Sequence, residues 1–194
     1  MVKVKQLIET LLNTIKKNLR RTREADIQKF LQILLESKRV FVVGAGRSGL
    51  VVKSFAMRLM HLGFEVYVVG ETITPPIKKD DLLVALSGSG STSFVVLVAR
   101  TAKKLGAKVV AITSHPDSPL GKLSDHIVKI GGRGEEFVRD YVSDQLKGFS
   151  KSLTPMGTLF ELSSSIFLDS VIAALMDIMG KSEEELKKKH TNLE

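Results

Sequence analysis

The first forty residues carry apolar positions at helical spacing. They recur every three or four positions from Val4 to Ile15, and again from Ile27 to Leu34, which is the spacing of one face of an α-helix. A polar stretch at 20–25 separates the two segments. The pattern predicts two amphipathic helices before residue 38.

After residue 38 the periodicity changes to short, continuous apolar runs, which are typical of strands covered on both faces. Between the runs lie two helical segments, which end at Gly63 and Gly106, and glycine is the usual residue just past a helix. Alternating strands and helices predict an α/β fold with a mostly parallel, five-stranded sheet. The five runs are RVFVVGAG, FEVYVVG, DLLVALSG, AKVVAITS and HIVKIGG. A short helical turn is predicted at SPLGKLS.

The last third of the chain has a different pattern. A polar stretch at 132–153 is expected to run over the surface, and an apolar helix is predicted to follow, with Thr154 as its N-cap and Pro155 in its first turn. The helix is apolar on nearly every side, but its three acidic residues argue against a membrane span. Such a helix is expected to pack against its own sheet and against another subunit. A capping box at Ser182 and Glu185 predicts a short final helix.

The length of 194 residues fits one domain. Its expected parts are N-terminal helices at 1–37, a sheet core at 38–131 and C-terminal helices at 154–194. The absence of cysteine excludes disulfides and thiolate chemistry, and it favours a reducing, cytoplasmic location. The N-terminus is interpreted as an amphipathic helix and not a signal peptide.

The net charge of +8 raises the question of a nucleic-acid partner. The basic residues cluster in KKNLRRTR and KKK without interleaved aromatic residues, and no nucleic-acid-binding motif accompanies them. We therefore interpret them as solvated helix faces and expect no nucleic acid partner. A positive protein still attracts anionic substrates such as phosphorylated metabolites.

Two loops join a predicted strand to a predicted helix. The first, GAGRSG at 44–49 and here called the glycine loop, fits the GxGxxG pattern of dinucleotide-binding folds. Glu65 or Glu71 would then stand where such folds place the acid that binds ribose. The motif alone is weak evidence for a nicotinamide cofactor.

The second loop, SGSGST at Ser87–Thr92 and here called the serine loop, favours a phosphate site. Amide groups at a helix start bind anions, and glycine lets the backbone approach them closely. The loop lacks the Lys-Ser/Thr ending of a Walker loop, and a flexible linker would not open directly into a helix. Six residues are therefore candidates for substrate binding: Ser87, Gly88, Ser89, Gly90, Ser91 and Thr92.

The motifs GAGRSG, SGSGST and TPMGTLFE, at this spacing, resemble the sugar isomerase (SIS) domain and, within it, the 6-phospho-3-hexuloisomerases. The resemblance spans nearly the whole chain. It implies a three-layer, flavodoxin-like fold with a five-stranded parallel sheet, and usually a homotetramer. The implied reaction interconverts D-arabino-3-hexulose 6-phosphate and D-fructose 6-phosphate without a redox cofactor. In the ribulose monophosphate pathway this step follows formaldehyde fixation, or runs in reverse to make pentose phosphates.

Glu161 is the candidate base for this chemistry. It is an acid within an otherwise apolar helix, where a carboxylate costs desolvation energy unless it is paired. The family pattern places its base at the glutamate of GTLFE. The alternative is a structural or salt-bridging glutamate.

Four further residues are assigned roles at the site. Ser48 is expected to hydrogen-bond a substrate hydroxyl, and Arg47 to stabilise the enediolate or a phosphate oxygen, with a plain surface arginine as the alternative. His61 is either a catalytic group, in its own or a neighbouring subunit's site, or a cation stabilised at a helix end. Arg133 is expected to approach the phosphate. No spacing resembles a metal site, so no metal is expected.

Three other functions remain open. One is an aldose–ketose isomerase acting between C1 and C2 of a different sugar phosphate. Another is a non-enzymatic sugar-phosphate sensor, although only about forty residues precede the first strand, too few for the usual DNA-binding module plus the domain's own helices. The last is the nicotinamide-dependent enzyme.

Overall fold

The computed structural model describes residues 4–132, 155 and 157–192. Five parallel strands form one sheet in the order β2-β1-β3-β4-β5, and the predicted parallel α/β fold is confirmed. The strands are β1 (Val40–Gly44), β2 (Val66–Val68), β3 (Leu82–Leu86), β4 (Lys108–Thr113) and β5 (His126–Lys129). The helices of the described residues are α1 (Val4–Leu19), α2 (Glu24–Glu36), α3 (Arg47–Leu62), α4 (Ser93–Lys104), α5 (Pro119–Leu123), α6 (Thr158–Ile178) and α7 (Glu183–Lys187).

Alternate residues of the central strands feed two separate hydrophobic cores. On β1, Val40 and Val42 join a core with α2, α3 and α6, whereas Phe41 and Val43 join a second core with α4 and α5. Successive side chains on a strand point to opposite faces, so a strand between two helix layers must be apolar throughout. The fold is therefore the predicted three-layer sandwich.

The helix starts and ends follow local residue chemistry. Gly63, which ends α3, has a left-handed φ of 103°, and Gly106 after α4 has a φ of 84°. At α7 the predicted capping box is confirmed, since Ser182 accepts from the backbone of Glu185 and Glu185 accepts from the backbone of Ser182. The backbone amide of Ser182, which donates to the Glu185 carboxylate, and the Lys181 ammonium lower the pKa of Glu185 to about 2.

The predicted start of the long apolar helix is wrong. Thr154 lies outside the described residues, Pro155 lies outside the helix, and α6 begins at Thr158 with Gly157 as its N-cap. Thr-Pro-Met-Gly reads locally as a cap followed by a first turn, but the left-handed φ of 91° at Gly157 prevents a helix from running through it.

Helix α6 packs against the sheet of its own chain. It is long and apolar enough to cross a membrane by length and composition, yet 56% of its apolar window is buried within the fold. Phe167, Leu168 and Leu175 lie in the same core as α2 and α3. The predicted burial of α6 against the protein's own sheet is confirmed, whereas its burial against another subunit stays a prediction. That the whole chain forms one domain also stays a prediction.

Candidate active site

The strand order places a crevice at one edge of the sheet. The chain leaves β1 toward α3 on one face and leaves β3 toward α4 on the other. Between two neighbouring strands whose connections diverge in this way, an open α/β sheet forms its ligand-binding crevice, at the carboxyl ends of the strands. The glycine loop and the serine loop lie on either side of this crevice.

The glycine loop brings α3 directly against the end of β1. A Cβ at Gly44 would lie 2.8 Å from the backbone carbonyl of Ser48, and a Cβ at Gly49 would lie 3.1 Å from the carbonyl oxygen of Gly44. The exposed Gly46 turns the chain with a φ of 57°. This close packing places Arg47 and Ser48 in the first turn of α3, at the crevice.

The serine loop is stabilised by its own buried hydroxyl. Ser87 is 4% exposed; its Oγ accepts from the amide of Gly90 at 3.2 Å and lies 3.1 Å from the hydroxyl oxygen of Thr92. Gly90 has a left-handed φ of 61°. Ser87 therefore shapes the loop. Ser89 and Ser91 are exposed; the amide of Ser91 donates to Oγ of Ser89, and Oγ of Ser91 donates to the carbonyl of Ser89.

The start of α4 presents free amide groups beside these hydroxyls. Thr92 is the N-cap but makes no side-chain capping bond. The backbone N–H groups of residues 92–95 donate no hydrogen bond to any residue that the structure describes. Unpaired amides and the positive end of the helix dipole attract an anion. This arrangement can hold a phosphate without any lysine or arginine.

Three groups at the end of β4 contact the serine loop. The Thr113 hydroxyl, the Ser114 amide and the Nδ1 atom of His115 all lie within 3.0–3.3 Å of the carbonyl oxygen of Gly88. Sequence analysis did not assign Ser114 or His115 to the site. Their position directly after a parallel strand was the available signal, because all such ends meet at one edge.

The first turn of α6 completes the crevice. A Cβ at Gly88 would lie 3.0 Å from the ring of Phe160, so Phe160 packs on the serine loop and sets the position of the next residue, Glu161. The Glu161 side chain is 12% exposed. The first turn of α6, which carries Glu161, therefore lies beside the serine loop.

Arg47 and Glu161 form an ion pair through Nε and Oε2. The arginine side chain is 58% exposed and the glutamate is largely buried. Sequence analysis left open whether Glu161 is a catalytic or a salt-bridging acid. The salt bridge exists, and it joins two of the predicted site residues across the crevice.

Comparison with known proteins agrees with this geometry. The family model of the SIS domain matches residues 33–163. The chain belongs to the SIS domain family. It is 38% identical, over the full length of both chains, to the 3-hexulose-6-phosphate isomerase of Bacillus subtilis, and 39% identical, again over both full lengths, to that of Methylomonas aminofaciens.

Solved structures agree as well. A protein of Methanococcus jannaschii, whose crystal structure infers a molecular function of 3-hexulose-6-phosphate isomerase, is 36% identical, with a TM-score of 0.80 over 96% of this chain and 98% of that one. A phosphosugar-isomerase structure from Bacteroides fragilis, at 20% identity and a TM-score of 0.74, covers 98% of each chain and shows the fold alone. Both solved structures therefore share the fold of this chain.

The acids proposed for ribose binding have other partners in this SIS domain. Glu71 lies 2.6 Å from the Lys53 ammonium, and Glu65 accepts from the Tyr67 hydroxyl at 2.8 Å. Both are exposed. Both acids therefore take part in surface contacts. The glycines of the GxGxxG pattern serve the close packing of α3 against the end of β1.

His61 lies far from this crevice in its own chain. It is fourteen residues from Arg47 along α3, which corresponds to about 21 Å at the rise of an α-helix. The residue is 4% exposed, with its ring 5.4 Å from that of His190, and it lines a surface pocket together with Lys181, Glu185 and Lys189. Catalysis by His61 would therefore need the crevice of a second subunit.

Burial lowers the pKa of His61 below its ordinary value of 6.5, and His190 and Arg58 lower it further. Between the lowered pKa and about pH 6.5, the His61 side chain is protonated in the unfolded chain but not in the folded chain. The contribution to stability is therefore complete above about pH 6.5 and is lost as the pH falls toward the lowered pKa. The free energy of unfolding, measured with urea, should fall more between pH 7.5 and pH 5.5 in the wild type than in His61→Gln. Equal losses would contradict the prediction.

Two predicted features remain. Arg133 lies outside the described residues. In the described ranges, no cluster of three His, Asp or Glu side chains could hold a metal ion.

Proposed function

We propose that the protein is a sugar-phosphate isomerase that interconverts D-arabino-3-hexulose 6-phosphate and D-fructose 6-phosphate. The observation that carries the proposal is the Arg47–Glu161 ion pair at the crevice beside the serine loop. The names of full-length relatives support the choice of substrate. A carboxylate beside a phosphate site is what a proton transfer on a sugar phosphate needs.

The phosphate is expected to bind the serine loop and the first turn of α4. The donors are the amides of residues 92–95 and the hydroxyls of the exposed Ser89 and Ser91 and the half-buried Thr92. Binding energy from the phosphate fixes the distant, reacting carbons against Glu161. A neutral site of amides and hydroxyls suits a group that must be released after each turnover.

The reaction moves a carbonyl group from C3 to C2. Glu161 takes the proton from C2 of the hexulose, the C2–C3 double bond forms, and the electron pair moves to the oxygen on C3. A proton moves from the oxygen on C2 to the oxygen on C3, and Glu161 returns its proton to C3 as the carbonyl forms at C2. Arg47 stabilises the enediolate charge, and Ser48 hydrogen-bonds a sugar hydroxyl.

A homotetramer with sites shared between subunits extends the proposal. The exposed face of α3 carries Leu50, Met57 and Met60, which are 68%, 42% and 42% exposed. A second copy that covers this face would bring the end of α3 close to another chain. His61 could then open the sugar ring or move the proton between O2 and O3 in the neighbouring crevice.

The remaining parts of the proposal concern the cell. A cytoplasmic enzyme with a phosphorylated hexulose as its partner, and with no nucleic-acid or membrane partner, agrees with the composition and the absence of cysteine. The reaction would follow formaldehyde fixation, or in reverse would supply pentose phosphates.

Substrate choice tests the proposal. The purified protein should convert fructose 6-phosphate to the 3-hexulose, and should turn over neither arabinose 5-phosphate nor sedoheptulose 7-phosphate at a comparable rate. Preference for either of these would favour a C1–C2 isomerase. Binding without turnover would favour a sensor, and a rise in melting temperature with NAD(H) but not with fructose 6-phosphate would favour a nicotinamide enzyme.

The serine loop gives a prediction of its own. Ser89→Ala with Thr92→Ala should raise KM about tenfold or more, since each lost hydrogen bond to a charged group is worth roughly 1.5–3 kcal/mol. Steady-state kinetics measure the change, with Thr101→Ala as the control, because Thr101 lies on the same helix and its hydroxyl donates to the carbonyl of Leu97. An unchanged KM would place the phosphate elsewhere.

A further inference from the structure

Gly157 is the N-cap of α6 and has a left-handed φ of 91°, a conformation that favours glycine. As an N-cap it makes no side-chain bond to the first amides of the helix, which Ser, Thr, Asp or Asn could provide. Asn also tolerates a positive φ. Backbone conformation therefore favours glycine here, and the space above its Cα adds a second reason.

The space above its Cα is filled by the Glu161 carboxylate. A Cβ at Gly157 would lie 2.8 Å from Oε1, 3.2 Å from Cδ and 3.4 Å from Oε2 of Glu161. Side chains in an α-helix lean toward its N-terminus, over the residue four positions earlier. The amide of Glu161 donates to the carbonyl of Gly157 at 3.0 Å, so these two residues form the first closed turn.

The Glu161 carboxylate thus has a close neighbour on each of two sides. Arg47 binds it at Oε2 from α3, and the bare Cα of Gly157 lets Oε1 settle against the backbone at the start of α6. With any larger residue at 157, the carboxylate could not keep both contacts.

We propose that Gly157 is a positioning residue for the catalytic Glu161, through the absence of a side chain. The inference rests on the proposed function, because it concerns the group that moves the proton. Glycine at this position keeps the carboxylate close to the helix start and within reach of Arg47.

This role predicts a division between activity and stability. The contact at 157 displaces only the far end of a flexible side chain, so the fold loses little beyond the backbone strain that a side chain brings at this φ. The displacement moves the base by about the distance that matters for proton transfer, where a 1 Å error can cost on the order of a hundredfold in rate. Substrate binding through the serine loop is unaffected.

The test compares Gly157→Ala and Gly157→Asn with Gly180→Ala. Gly180 follows the other end of α6 with a φ of 61° and has open space where a Cβ would be, so its variant carries backbone strain without a contact. Isomerisation of fructose 6-phosphate should show kcat lowered at least tenfold in both Gly157 variants, with KM changed less than threefold. The melting temperatures should stay close to that of Gly180→Ala, whose kcat should equal the wild type. Asn, which accepts the left-handed conformation, separates strain from contact.

A second comparison distinguishes this inference from the proposed function. If Gly157 acts only through Glu161, adding Gly157→Ala to Glu161→Gln should lower the residual rate no further. A large loss in Glu161→Gln with normal kcat in both Gly157 variants overturns the positioning role alone. Normal activity of Glu161→Gln overturns the proposed function. Unfolding of both Gly157 variants also overturns the inference, because the glycine would then serve the fold.

Discussion

Replacing Glu161 by glutamine is expected to lower kcat by on the order of a hundredfold or more while KM stays close to the wild-type value. Glutamine keeps the shape of the side chain and an oxygen that can accept from Arg47, but it cannot take a proton from carbon. Because Phe160 packs on the serine loop independently of the carboxylate, phosphate binding should survive. Steady-state kinetics with fructose 6-phosphate, with the melting temperature as a check on folding, measure the effect.

Asp169 provides the matched control for this substitution. It is an exposed acid on the same helix, two turns beyond Glu161, and no ion pair involves it within the described residues. Asp169→Asn should retain wild-type turnover. Near wild-type turnover in Glu161→Gln would remove Glu161 from the mechanism.

Replacing Gly90 by alanine is expected to give the largest combined loss of stability and binding. A Cβ at Gly90 would lie 1.9 Å from the Ser118 hydroxyl oxygen and 2.6 Å from the Ser118 Cβ, in a residue whose φ is 61°. Strain and overpacking together cost about 3 kcal/mol, which corresponds to a fall in Tm of about 6–12 °C in a chain of this size. Since the serine loop must move to relieve the contact, KM should also rise at least tenfold.

Gly180→Ala again serves as the control, because its φ is also 61° but a Cβ there meets open space. Its Tm should fall by only about 2–4 °C, as expected for the strain alone, and its KM should not change. Thermal unfolding and steady-state kinetics compare the two variants. Equal effects would mean that the contact with Ser118 is unimportant and that the serine loop tolerates a side chain.

The sheet was predictable because its three central strands, β1, β3 and β4, are almost entirely buried. The strands that end at Gly44 and Leu86 are continuous apolar runs, as a strand between two helix layers requires. Each of them is followed by a helix that has a glycine near its end. The strand bounds were predicted too generously. FEVYVVG yields only Val66–Val68, since pairing with β1 on one side alone supports a short edge strand.

The start of α6 could not be predicted from local chemistry. Thr154 and Pro155 carry the usual marks of a helix start, but the left-handed conformation of Gly157 delays the helix to Thr158. The first turn of the helix also contacts the serine loop, through Phe160 and Gly88, which are distant in sequence. A propensity rule that considers neighbours along the chain has no access to such contacts.

The candidate site divides in the same way. The serine loop was evident because strand, glycine, hydroxyl and helix follow one another along the chain. The Arg47–Glu161 pair joins residues 114 positions apart, and Glu161 was selected by its apolar surroundings and by family resemblance. His115 and Ser114 were missed because a histidine and a serine after a strand look like ordinary turn residues until Gly88 is placed beside them.

The central claim is that a carboxylate at this crevice removes a proton from a carbon atom of a bound sugar phosphate. Incubating the protein with fructose 6-phosphate in D₂O, and following the sugar protons by NMR, tests it most directly. The account predicts exchange at C3, which becomes the carbonyl carbon of the 3-hexulose, and its loss in Glu161→Gln. Exchange at C1 instead of C3, or neither exchange nor conversion to the 3-hexulose in a protein that binds the sugar phosphate, would contradict it.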